Sequence, residues 1–93
     1  MIERRLLSVM AIEDWLQEHI ALMLGVAPEH VDPTQPFAAI GLRSADAVAL
    51  TGELADWLDI PVDATAPWDH PTPEALAAAL HVYMSAGSAT VGD

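Results

Sequence analysis

Prolines decide where this chain can be helical. Pro28, Pro33 and Pro36 crowd one short stretch, Pro61 stands apart, and Pro73 follows Thr72. Proline has no N–H and clashes with the preceding turn, so a helix interior rejects it while the first helical position accepts it. The stretches before Pro28, between Pro36 and Pro61, and after Pro73 each carry apolar residues at helical spacing. In the first, Ile12, Leu16, Ile20 and Leu24 recur a turn apart beside Met23, with Glu13, Asp14 and Glu18 on other faces. Ser8 or a neighbour can cap this helix, and Gly25 suits its end. The second helix is expected from Ser44 to Leu58. Ala47, Leu50, Leu54 and Leu58, joined by Thr51, form its inward stripe, while Ala45, Val48, Ala49 and Gly52 fall on another face. Ser44 is of N-cap type, and Asp46 in the first turn complements the helix dipole. The third opens on Thr72-Pro73-Glu74 and buries Leu76, Ala79, Leu80 and Tyr83. A short helical turn is expected within Ala64 to Trp68. Strand alternation and internal repeats are absent from the pattern.

The expected fold is all-α: a small four-helix bundle of three main helices and one short one, with a long ordered loop between the first two main helices. That loop covers residues 26–43, and Phe37, Ile40 and Leu42 pin it to the core. A connection of this length usually carries function. Residues 1–7 read as a lead-in, 8–85 as the folded domain, and 86–93 as a flexible C-terminal tail rich in small residues.

Charge narrows the partners. Fourteen acids face three bases, a net −11. Arg4 and Arg5 fall in the lead-in, which leaves Arg43 as the only fixed cation of the domain body. Such a surface repels nucleic acid and anionic membrane and attracts a basic protein patch. It also suffices to keep a small apolar domain soluble. The chain has no cysteine, hence no disulfide and no thiolate metal site. No apolar run of about 18 uncharged residues and no signal-peptide pattern appears, so neither a membrane span nor a secretion signal is expected. The expected compartment is the reducing cytoplasm, and the chain is expected to be a monomer.

Little else in the sequence points to chemistry. His19, His30, His70 and His81 are not spaced as metal ligands, so no metal site is expected. Trp15, Trp57 and Trp68 read as core or interface packing. Glu53, Asp56 and Asp59 form either a solvated face or a docking strip. Ser44 opens a helix after a Pro-rich loop, where the dipole welcomes an anion. A hydroxyl there serves either as a cap or as an anchor for a phosphodiester. Gly41-Leu42-Arg43-Ser44-Ala45 lacks the G-x-S-x-G elbow of a serine hydrolase, so no catalytic residue is expected.

Pro36-Phe37-Ala38-Ala39-Ile40-Gly41-Leu42-Arg43-Ser44 resembles the phosphopantetheine-attachment segment of acyl carrier proteins, above all polyketide synthase-like ones, where the usual form is near P-F-x-x-[LI]-G-L-D-S-L. Pro67-Trp68-Asp69-His70-Pro71-Thr72-Pro73-Glu74-Ala75-Leu76 resembles their second landmark, near F-D-H-P-T-x-x-x-L. The resemblance covers residues 10 to 84. The runs Ser44 to Leu50 and Gly52 to Leu58 are similar to carriers that accept fatty acids from fatty acyl-AMP ligases. The resemblance implies a non-catalytic carrier with a 4′-phosphopantetheine arm on Ser44, installed by a phosphopantetheinyl transferase. The arm's thiol would hold an acyl chain, here a fatty acyl chain, for enzymes of a polyketide or lipopeptide pathway. It implies partner docking by Leu42, Arg43, Ala45, Asp46, Val48, Ala49, Gly52, Glu53 and Asp56. Arg43 departs from the family's usual Asp and Ala45 from a common Leu. The Arg is either solvated, or it meets an acidic spot on a partner or the arm's phosphate. The alternatives are a peptidyl carrier, whose G-G-H/D-S signature is absent here, and an unmodified acidic helical adaptor.

Overall fold

The computed structural model describes residues 8–90, with side chains to Ser85. The expected lead-in, residues 1–7, and residues 91–93 lie outside that range. Among the described residues there is no strand, and five α-helices follow one another: α1 Val9–Leu24, α2 Phe37–Ile40, α3 Ser44–Leu58, α4 Ala66–Asp69 and α5 Pro73–Thr90. A single 3-10 turn, Pro28–His30, lies between α1 and α2. No described helix is long and apolar enough to cross a membrane.

The helix ends follow local chemistry. The Ser8 hydroxyl accepts from the Ala11 N–H at 3.1 Å, and Gly25 ends α1 at φ 71°. At α5, Pro73 brings no N–H, Glu74 N–H donates to the Pro33 carbonyl at 2.9 Å, and Ala75 N–H donates to Thr72 Oγ1 at 3.0 Å. The first-turn donors that a helix always leaves over are thereby used.

One core holds the three long helices together. α1 packs on α5 and α3, and α3 on α4. Ile12, Leu16 and Ile20 meet Leu50, Leu54, Leu58, Leu76 and Leu80, nearly all without exposed surface. The inward stripe expected for α3 is buried as read, Thr51 included, because its hydroxyl donates to the Val48 carbonyl at 2.7 Å. Trp15 joins α1 to α3 from outside, stacking on His19 at 3.7 Å and on Trp57 at 5.3 Å between ring centroids.

Three sequence expectations shift. The short turn falls at Ala66–Asp69, two residues later than read, because Asp63 and Thr65 form a turn that delays it. In α5 the buried stripe is Leu76, Ala77, Leu80 and Met84; Ala79 is half-buried and Tyr83 is 53% exposed. The apolar face is set by how α5 meets α1, and it drifts one position over two turns. The α5 backbone stays helical past Ser85 to Thr90, into the segment read as tail, since no proline interrupts it.

The loop over 26–43 is ordered by internal turns the periodicity did not reveal. Val31, Phe37 and Leu42 are buried, and Gln17 Nε2 donates to the Val31 carbonyl at 2.8 Å. Gly41 reverses the chain after α2 at φ 115°, a conformation that side chains with a Cβ resist. A Cβ there would meet only Leu24 Cδ2 at 3.9 Å, so the constraint is backbone, not space. At Gly52, inside α3, a Cβ would meet nothing within 4 Å. Urea unfolding should therefore separate the two glycines. Gly41→Ala should cost about 1–3 kcal/mol, and Gly52→Ala should gain about 0.5–1 kcal/mol.

Candidate functional site

Ser44 is the first residue of α3, not its cap. Arg43 occupies the cap position in extended backbone, φ −88° and ψ 166°. Its N–H donates to the Asp46 carboxylate at 3.2 Å. The guanidinium has only donors, so it cannot cap the helix N–H groups. Among the described residues no hydrogen bond engages the Ser44 hydroxyl, which stands exposed. Asp46 organises the helix entrance from within the first turn, and the serine is left out of the capping. The cap-type reading of Ser44 is therefore corrected. The physical reason is that the carboxylate two residues on reaches back to the residue before it.

Ser44 opens onto a groove of about 190 Å³ formed by α2, the start of α3 and α4. Pro36, Phe37, Ala38, Leu42, Ala47, Pro67, Trp68 and Pro71 line it together with Arg43 and Ser44. Two parts of the chain meet here, because Phe37 N–H donates to the Pro71 carbonyl at 2.8 Å. Trp68 was expected to pack in a core or interface. It is not in the core: it lies 55% exposed on this groove, because α4 turns it outward while burying Ala66 and Pro67. The groove is a tertiary product that spacing along the chain does not display. Its only trace in the sequence is the tryptophan set among Pro67 and Pro71. A second groove, between Val62, His70, Leu80 and Tyr83, lies along α5.

The docking candidates divide. Ala45, Val48, Ala49, Gly52, Glu53 and Asp56 are exposed on α3. Asp46 is half-buried and partly committed to Arg43 N–H. Leu42 is only 7% exposed; Gly41's turn folds it inward, where it anchors the loop and lines the groove. Arg43 is exposed and makes no ion pair with a described carboxylate. The described residues hold no group of His and acidic side chains placed to bind a metal.

Two aspartates shape the segments on either side of the site. Asp32 Oδ1 accepts from the Thr34 N–H at 2.9 Å and hydroxyl at 2.6 Å; Asp63 Oδ1 accepts from the Thr65 N–H at 2.9 Å and hydroxyl at 2.8 Å. The hydroxyl bond leads at Asp32 and the backbone bond at Asp63, and both carboxyls are held below the ordinary 3.8. Glu13 goes the other way: burial raises it, and Glu74 and Asp14 add like charge.

A family model described as phosphopantetheine attachment site matches residues 14–80. The chain is 41% identical over 69 residues to a phenolphthiocerol/phthiocerol polyketide synthase of Mycobacterium tuberculosis, covering 74% of this chain and 4% of that protein. The chain thus spans a small fraction of that relative's length. A free-standing peptidyl carrier protein from Acinetobacter baumannii superposes with a TM-score of 0.79 at 31% identity, covering 83% of this chain and 96% of that one. The acyl carrier protein LipD from Actinoplanes friuliensis superposes with a TM-score of 0.69 at 33% identity, covering 85% and 88%.

The two aspartate turns contribute stability above the ordinary aspartate value and lose it as the pH falls through the lowered folded value. Thermal unfolding followed from about pH 5 down to pH 2 should show a smaller loss of Tm for Asp32→Asn and Asp63→Asn than for the unaltered chain.

Proposed function

The chain belongs to the phosphopantetheine attachment site family, and on that premise we propose that it is an acyl carrier with its 4′-phosphopantetheine arm on Ser44. The observation that carries this reading is the Ser44 hydroxyl, exposed, unengaged and inside the matched residues. The site fits such a group. The hydroxyl has no internal partner to give up, the α3 N-terminus carries no side-chain cap, and the helix dipole favours a negative phosphate there. In the transfer, the Ser44 Oγ–phosphorus bond forms, the bond to adenosine 3′,5′-bisphosphate in coenzyme A breaks, and the hydroxyl proton passes to a base on the transferase. Bound there, the arm supplies a thiol that carries an acyl group as a thioester. Tethering keeps that group at high effective concentration before each enzyme the carrier meets.

The cargo in this reading is a fatty acyl chain delivered by a fatty acyl-AMP ligase, for a polyketide or lipopeptide pathway. Support comes from the Ser44 to Leu50 and Gly52 to Leu58 runs, and from the absence of the G-G-H/D-S signature. A peptidyl cargo is the second reading, favoured by the likeness to the Acinetobacter baumannii carrier. Ala45, Val48, Ala49 and Gly52 present small side chains on one exposed face of α3, with Glu53 and Asp56 beside them. Small residues allow close approach, and the acids suit a basic patch on the ligase.

Incubation with coenzyme A and a broad-specificity transferase should add one phosphopantetheine by intact mass, and Ser44→Ala should abolish the addition. A chain that no competent transferase modifies would point to an unmodified adaptor. Competition of fatty acids against amino acids for the holo form then separates the two cargoes. Because position 52 is exposed and a Cβ there would meet nothing within 4 Å, Gly52→Leu should leave the helical content unchanged. It should lower kcat/KM for ligase loading about tenfold, or ~1.4 kcal/mol of docking.

A further inference from the structure

We propose that the arm on Ser44 is parked: the Arg43 guanidinium holds its phosphate, and the groove under Trp68 takes the branched segment that follows. The proposal rests on the carrier reading and adds a resting position for the arm.

Arg43 is the starting observation. It is the only lysine or arginine among the described residues of a chain with net charge −11. Acidic side chains are plentiful, yet its guanidinium pairs with none of those described. The nearest along the chain, Asp46, is turned to Arg43's own backbone N–H. The guanidinium is a planar fork of donors suited to two oxygens of one phosphate. A phosphodiester on Ser44 would place such an anion on the adjacent residue, permanently. Elsewhere the surface repels anions; at this one edge it offers a cation.

The groove supplies the other half. Ser44 and Arg43 line it together with Pro36, Pro67, Trp68 and Pro71. Three of these are prolines, which offer no N–H donor and little freedom to lose. Trp68 is large, apolar and 55% exposed on its rim, a surface that gains by being covered. Next to its phosphate the arm carries a quaternary carbon with two methyl groups, which is the apolar shape such a cleft accepts. The volume, about 190 Å³, falls below the roughly 300–1,000 Å³ of pockets that enclose a whole small molecule. It suits one segment of the arm and leaves the thiol and any acyl chain outside. Because the ligand is tethered to a residue that lines the groove, weak contacts are enough to populate the seat.

The test uses the ¹⁵N-labelled full chain, compared as apo and holo protein. Conversion should shift two side-chain N–H signals, the Arg43 Nε–H and the Trp68 indole. The Trp15 and Trp57 indoles serve as internal controls. Trp57 lies near the other end of α3 from Ser44, about 20 Å away by helix rise, and stacks on Trp15; both should stay in place. In holo Arg43→Gln the Trp68 shift should fall by half or more, and Arg43→Lys, which keeps the charge, should recover part of it. Holo protein with an intact-mass adduct and unmoved Arg43 and Trp68 signals overturns the parked arm and leaves the carrier reading standing. A Trp68 shift that arises only after acyl loading also overturns it, because the groove would then belong to the cargo. Failure to form any adduct is a separate result: it removes the carrier reading, and the parked arm with it.

Discussion

Two backbone hydrogen bonds tie the long loop to the start of the last helix: Phe37 N–H to the Pro71 carbonyl, and Glu74 N–H to the Pro33 carbonyl. Together with the buried Val31, Phe37 and Leu42, they hold the segment of about a dozen and a half residues between α1 and α3 and so set the place of Ser44. With them, α2 is fixed beside α4, the groove acquires both walls, and Gly41 can return the chain into α3 at a set angle. The prolines that prohibit helix in these segments take part through their carbonyls, which still accept hydrogen bonds. The same residues thus interrupt regular structure and hold the irregular structure together.

Asp46 has a second, local effect of the same kind. By accepting from Arg43 N–H it defines where α3 begins, and it does so without the Ser44 hydroxyl. A serine at a helix entrance is most often consumed as a cap. Here its oxygen is released to solvent beside an apolar groove and a single cation. The electrostatics sharpen the arrangement: an acidic body discourages stray anions, while the helix dipole and Arg43 make an exception at one edge. Arg43, directly before the serine, therefore sets a cation beside the Ser44 hydroxyl in a chain of net charge −11.

Much of the fold was legible because its signals are local. The α3 stripe of Ala47, Leu50, Thr51, Leu54 and Leu58 follows from helical periodicity alone. The Ser8 and Thr72 caps and the Gly25 stop follow from residue chemistry. Where the reading slipped, packing decided. On α5, which packs against α1, Met84 rather than Tyr83 takes the buried face. Leu42, a docking residue only by resemblance, is turned inward at Gly41 and buried, as its apolar character in the loop leads one to expect.

By itself the sequence determined an all-helical domain, a long proline-built loop, an acidic surface and a serine at a helix entrance. Each rests on backbone sterics, residue charge or the 3.6-residue period, all of which act over a few neighbours. Only the tertiary structure decided that this serine is free of capping duty and that residues from Pro36 to Ala47 and from Pro67 to Pro71 share one groove. It also decided that Trp68 faces solvent beside Arg43. Those facts depend on contacts between segments distant along the chain, and the hydrogen bonds that create them join backbone atoms every residue possesses, so no side-chain pattern announces them.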